Sequence, residues 1–105
     1  MREVYDEIES ALRERRPLVL ATVAAARGST PRKPGAKMAV RQDGSFCGTI
    51  GGGCGEAEVI RAALDVLQSG QPRTVFVDLT EPIARESVGV CGGIMNIFVE
   101  RLSPD

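Results

Sequence analysis

Apolar positions recur along this chain with two periods. From Glu3 to Arg16, Val4, Ile8, Ala11 and Leu12 fall at i, i+4, i+7 and i+8, the stripe of an amphipathic helix. Pro17 disfavours helical backbone at Arg16 and sets its end, and Arg13, Arg15 and Arg16 suit the negative helix terminus. Leu18-Val19-Leu20-Ala21-Thr22-Val23-Ala24 is a nearly continuous apolar run of strand length, read as a buried strand. Arg27 to Gly35 is a loop broken by prolines and glycines. Lys37 to Arg41 and Ser45 to Thr49 read as two short strands joined at Asp43-Gly44, a hairpin signal.

The helical period returns over Gly55 to Gln68, where Val59, Ile60, Ala63, Leu64 and Leu67 form the stripe. Glu56 and Glu58 sit in its first turn and Gly70 is placed as a left-handed cap. Thr74 to Leu79 and Ile94 to Leu102 read as strands, separated by a polar stretch from Thr80 to Ser87 and a glycine turn around Cys91. Neither a repeat nor a linker interrupts this order. The order α-β-β-β-α-β-β predicts one domain over residues 1–105, a mixed β-sheet flanked by helices, of α/β or α+β class.

Composition narrows the chemistry. The 105 residues are 43% hydrophobic and 26% charged, values of an ordinary globular domain, and the net charge is −1. With aromatics at only 4%, neither a basic field nor a stacking platform for nucleic acid is present, so any anion site is local. The acidic, helix-like start is unlike a signal peptide, and no apolar run is long enough for a bilayer, so a cytoplasmic, non-membrane protein is expected. Three cysteines and no histidine argue against a disulfide framework, common zinc sites and histidine-based catalysis.

Three segments remain as candidate chemistry. Gly51-Gly52-Gly53-Cys54 lies between a strand and a helix, where glycine backbone approaches a ligand closely and the helix start favours an oxyanion. The same loop also reads as a tight packing turn. Cys54 at that helix start is either a thiol of lowered pKa or a small buried apolar residue. Cys91-Gly92-Gly93 repeats the glycine–cysteine pattern, so the two cysteines could meet across one end of the sheet. Arg27, Ser29, Thr30, Arg32, Lys33, Lys37 and Arg41 form a basic arm with no acid among them, either an anion site or a solvated loop. Glu56 and Glu58 are two residues apart on a helix and do not face one another. Asp78 ends a strand, the usual active-site address in open sheets. Cys47 alternates with Phe46 on a strand and reads as core.

The runs from Gly28 to Met38, from Gly48 to Glu58 and Cys91-Gly92-Gly93 are similar to those of the XdhC/CoxI family, accessory proteins of xanthine dehydrogenase and related molybdenum hydroxylases. The resemblance reaches from the first strand to Leu102. It departs at Gly55, where the family often has a bulky residue, and at Ile94-Met95-Asn96, which is more apolar than usual.

The resemblance implies a chaperone rather than a catalyst. Such a protein binds the molybdenum cofactor (molybdopterin) transiently, protects it while it gains its terminal sulfur, and helps insert it into the apo-hydroxylase. It implies cofactor binding by Ser29, Thr30, Arg32, Lys33, Lys37, Gly51, Gly52, Gly53, Cys54, Glu56, Cys91, Gly92 and Gly93, with Cys54 and Cys91 as molybdenum contacts. A cysteine desulfurase is the implied sulfur donor. Larger members carry a following Rossmann-like domain, expected here to be either missing or a separate partner. A homodimer is expected by analogy with other small accessory domains. The residues alone also admit a thiol-dependent enzyme acting through Cys54 on a phosphorylated or nucleotide-like small molecule, or a non-catalytic docking subunit.

Overall fold

The structure, a computed structural model, describes residues 1–28, 33–51, 55–78 and 93–102. Helix α1 (Arg2–Arg13) precedes strands β1 (Leu18–Arg27), β2 (Lys37–Arg41) and β3 (Phe46–Gly48), then helix α2 (Glu56–Ser69) and strands β4 (Arg73–Asp78) and β5 (Ile94–Leu102). The element order is the one expected, and β5 has the expected bounds. The five strands form one sheet in the order β3-β2-β1-β5-β4. Among the described residues all four pairings are antiparallel, so this is the α+β form of the expected class, with no parallel pair among those strands.

β1, β2 and β3 form a meander. Asp43 and Gly44 turn its hairpin with Gln42, and the left-handed backbone of Gly44 (φ 88°) completes a three-residue loop. The Asp43 carboxylate accepts hydrogen bonds from the Ser45 amide (2.9 Å) and hydroxyl (2.6 Å). α2 then carries the chain to the far edge, and β5 inserts between β4 and β1.

Alternation on the strands supplies two layers of core. Val19, Ala21, Val23, Met38, Val40, Val75, Val77, Met95, Ile97 and Val99 face α2 and pack on Val59, Ala62, Ala63 and Val66. The predicted helical stripe is thus rotated. Ala62 and Val66 are buried, whereas Ile60, Leu64 and Leu67 are only half-buried. On the opposite face Leu18, Leu20 and Ala39 meet Val4, Ile8 and Ala11 of α1. Each fully buried aliphatic side chain here contributes about 1.5–3 kcal/mol of transfer free energy. Beyond α1, that face leaves Phe76 and Phe98 exposed.

The ends of β1 and α1 depart furthest from expectation, while β3, α2 and β4 differ by a single residue at each end. β1 runs on to Arg27, through a register shift between Val23 and Ala25 where it pairs with β5. α1 stops at Arg13 rather than Arg16 because Arg15 adopts left-handed backbone (φ 55°). The Arg16 amide donates to the Ala11 carbonyl (2.8 Å) and that of Arg15 to Leu12 (3.4 Å), the two bonds of a Schellman cap. Leu12, placed in the apolar stripe by its spacing, is 40% exposed.

Arg16 is thereby turned back onto the helix, where its guanidinium meets Glu7 (3.0 Å), Glu14 (2.7 Å) and Ser10 (2.8 Å). Arg41 of β2 also binds Glu7 (3.0 Å), so one carboxylate ties α1 to the sheet. Burial pushes the Glu7 carboxyl up, but the hydrogen bonds from Arg41 and Arg16 outweigh it and hold it below its ordinary value. Among the described residues no helix is long and apolar enough to cross a membrane.

Candidate functional site

An antiparallel sheet in this order gathers particular chain ends on one side. β1, β3 and β4 end there, and β2 and β5 begin there. Arg27 lies opposite Ile94, which lies opposite Asp78; Met38 lies opposite Gly48. The basic arm, the glycine loop and the Cys91 segment therefore all leave the sheet from the same end. The N-terminus of α2 is there too, since Gly55 sits against Val77 near the end of β4. Of the residues chosen from sequence, Lys33, Lys37, Gly51, Glu56 and Gly93 are described. Ser29, Thr30, Arg32, Gly52, Gly53, Cys54, Cys91 and Gly92 lie outside the described residues.

The return of the basic arm is tied to β1. The Gly35 amide donates to the Val23 carbonyl (2.8 Å), and the Val23 amide to the Ala36 carbonyl (2.9 Å). Lys33 is exposed, with its carbonyl accepting from the Ala36 amide (3.2 Å). Lys37 is half-buried, and its ammonium donates to the Thr22 hydroxyl (3.3 Å) across the β1–β2 pair. One lysine thus projects into solvent and the other is fixed on the sheet, both at the same end.

The glycine loop is framed by two residues with left-handed backbone. Gly48 (φ 76°) closes β3 so tightly that a Cβ would lie 2.5 Å from Val4 Cγ2 and 2.6 Å from the Lys37 carbonyl oxygen. Gly55 (φ 79°) precedes α2, and a Cβ there would lie 2.7 Å from Val77 Cγ1. That contact gives the physical reason for the glycine at this position. Between them, the buried Gly51 donates its amide to the Thr49 hydroxyl (3.0 Å), and this hydroxyl donates to the Glu56 carboxylate. The Gly51 amide is thus spent on the turn itself. Glu56 is half-buried and faces Thr49, whereas Glu58 is exposed, so the two acids diverge as their spacing requires. Gly93 is buried immediately before β5.

Sequence reasoning missed Thr49. A threonine two residues before a glycine is a hydroxyl-turn signal, which could have drawn attention to it.

A cavity of about 400 Å³ adjoins the loop on the α1 side, lined by Glu3, Lys37, Cys47, Gly48 and Thr49 among others. Cys47, expected in the core, is only half-buried there and packs against the α1-side cluster from its edge, with its sulfur 3.7 Å from the Glu3 carbonyl oxygen. Burial pushes its thiol up, which leaves it protonated and a poor nucleophile. A second cavity, of about 600 Å³, lies at the opposite end of the sheet, between Pro17, Leu64, Leu67 and Arg101, away from all three motif segments. Among the described residues no cluster of acids, cysteines or histidines could hold a metal ion on its own.

The class defined so far is a small α+β domain whose antiparallel sheet sends the glycine-loop, basic-arm and Cys91 segments out from one end. The model of the XdhC and CoxI family matches residues 11–78, and the chain belongs to that family. It is 38% identical over 96 residues to the uncharacterized protein YqeB of Escherichia coli K12, covering 91% of this chain and 18% of YqeB. It is 36% identical over 92 residues to the molybdenum cofactor insertion chaperone PaoD of the same organism, covering 88% of this chain and 29% of PaoD. A crystal structure named as a xanthine dehydrogenase from Bacillus halodurans superposes with a TM-score of 0.77 at 32% identity, over 91% of this chain and 29% of that one. The chain therefore spans less than a third of each of these relatives.

Proposed function

We propose that this domain binds the molybdenum cofactor at the sheet end where its three motif segments meet, and serves the sulfuration of that cofactor and its insertion into a xanthine dehydrogenase-type hydroxylase. The observation that carries the reading is that the strands flanking the basic arm, the glycine loop and the Cys91 segment turn all three connections to one sheet end, the first two lying within the family match. The name of PaoD, a molybdenum cofactor insertion chaperone, supports it.

The residues fit the group by donor chemistry. A phosphate on a pterin suits Lys33 and Lys37 together with Ser29, Thr30 and Arg32 of the same arm. Gly51, Gly52 and Gly53 allow close backbone approach beside the positive start of α2. Cys54 and Cys91, with Gly92 and Gly93 beside the latter, are soft donors for a metal–sulfur centre. When bound, the cofactor supplies the redox centre of the recipient enzyme, and this chain holds and shields it without turnover of its own. The recipient is an apo-hydroxylase in the cytoplasm and the sulfur donor a cysteine desulfurase. A second copy of this chain completes the assembly.

The test is anaerobic mixing of the purified protein with cofactor released from a molybdenum hydroxylase, followed by addition of apo-hydroxylase. The reading expects molybdenum to co-elute with the protein and the hydroxylase to gain activity. Absence of both from the wild-type protein would overturn it.

A further inference from the structure

The Thr49 hydroxyl occupies a particular place in the glycine loop. It accepts the Gly51 amide (3.0 Å) and donates to the Glu56 carboxylate, so the last residue before the loop is bonded to the first residue of α2. Both contacts are partly buried, which shields them from competing water. Gly48 and Gly55, just outside this pair, have backbone conformations and clearances that only glycine supplies, so neither end of the loop is free to drift.

Glu56 also presents a puzzle. It is a carboxylate at a helix start next to an anion site, where a free charge would repel a phosphate. Its hydrogen bond to Thr49 gives it another task.

We propose that Thr49 and Glu56 are positioning residues that close the neck of the glycine loop. Their hydrogen bond ties Thr49, and through it Gly51, to the start of α2 before a phosphate-bearing ligand arrives. Fixing these two ends on binding would otherwise reduce affinity, so ends bonded to each other beforehand raise it. The inference rests on the reading that this loop binds the cofactor.

Two roles for Glu56 make opposite predictions. If it acts only by its charge, Glu56→Ala and Glu56→Gln both tighten anion binding. If it braces the loop, Glu56→Ala weakens binding, whereas glutamine still accepts from the Thr49 hydroxyl and restores most of it.

The experiment titrates the wild-type protein and variants anaerobically with released molybdenum cofactor, at a temperature where circular dichroism reports each folded, and reads bound molybdenum. Thr49→Val and Glu56→Ala are expected to bind about tenfold more weakly, the size of one partly buried hydrogen bond. Thr49→Ser and Glu56→Gln recover most of that loss. The double variant Thr49→Val/Glu56→Ala is no weaker than either single one, because both remove the same bond. Because each variant is folded at the temperature of the titration, a loss of global stability would leave the bound molybdenum unchanged, and the rescue and non-additivity assign the effect to this one bond.

If Thr49→Val does not fold, the comparison of Glu56→Ala with Glu56→Gln carries the test alone. Binding by Glu56→Ala equal to or tighter than wild type overturns the brace while leaving the cofactor reading intact. Failure of the wild type to bind overturns the cofactor reading and the brace with it.

Discussion

Replacing Gly48 by alanine probes how the chain leaves the sheet for the glycine loop, and Gly44→Ala supplies its control. Both glycines have left-handed backbone, φ 76° at Gly48 and 88° at Gly44. Around Gly44 a Cβ meets nothing within 4 Å, so its substitution carries only the conformational term, about 1–2 kcal/mol for an L-residue. Around Gly48 the Cβ would meet Val4 at 2.5 Å and the Lys37 carbonyl oxygen at 2.6 Å. The carbonyl belongs to β2 and cannot swing aside as a long side chain would. Forced overpacking of this kind adds roughly 1–3 kcal/mol. Gly48→Ala should therefore cost about 2–5 kcal/mol in all, and exceed Gly44→Ala by about 1–3 kcal/mol. Urea unfolding followed by circular dichroism measures both, with the slope compared to confirm that the same surface is exposed. Equal losses in the two variants would refute the claim that close approach, rather than backbone conformation alone, fixes a glycine at the loop's entrance.

The remaining expectations concern the scaffold. Glu7→Gln should cost about 1–2 kcal/mol, because it weakens bonds to both Arg16 and Arg41. The folded-state carboxyl of Glu7 titrates below its ordinary value, so the wild type's advantage is present above about pH 4.3 and fades as the pH falls through the folded value; a gap unchanged at lower pH would contradict this. Gly70→Ala should cost about 1 kcal/mol in urea unfolding, chiefly for left-handed backbone, since the obstructing atom at 2.6 Å is the movable end of Arg101. Cys47, raised by burial, should alkylate more slowly than a small free thiol at pH 8 and speed up in urea, as read by peptide mapping.

The sequence carried the elements well because their apolar periods are clean. Both helices, all five strands and the Gly70 cap were legible. The end of α1 was not, because Arg15 takes a conformation usually left to glycine and its neighbours close a Schellman cap without the expected residue. Strand direction was not legible either, since alternation records which face is buried and says nothing of which strand lies alongside. The α2 stripe was rotated for a similar reason: an alanine at 62 counts little in a hydropathy pattern, yet with Val66 it packs onto the sheet.

The motif segments were visible as unusual local composition. Their convergence follows only from the antiparallel order, in which β1, β3 and β4 end where β2 and β5 begin. The family resemblance alone marks Glu56 as a binding residue. Its bond to Thr49 across the loop is a tertiary fact that no spacing rule reports.

The most direct measurement is the molybdenum bound per protein when released cofactor is offered anaerobically to the wild type, Cys54→Ser and Cys91→Ser. The account predicts stable binding by the wild type and clearly weaker binding by both variants, with unfolding midpoints little changed. Binding by neither the wild type nor the variants, or equal binding by all three, would contradict a cofactor site built where these segments meet.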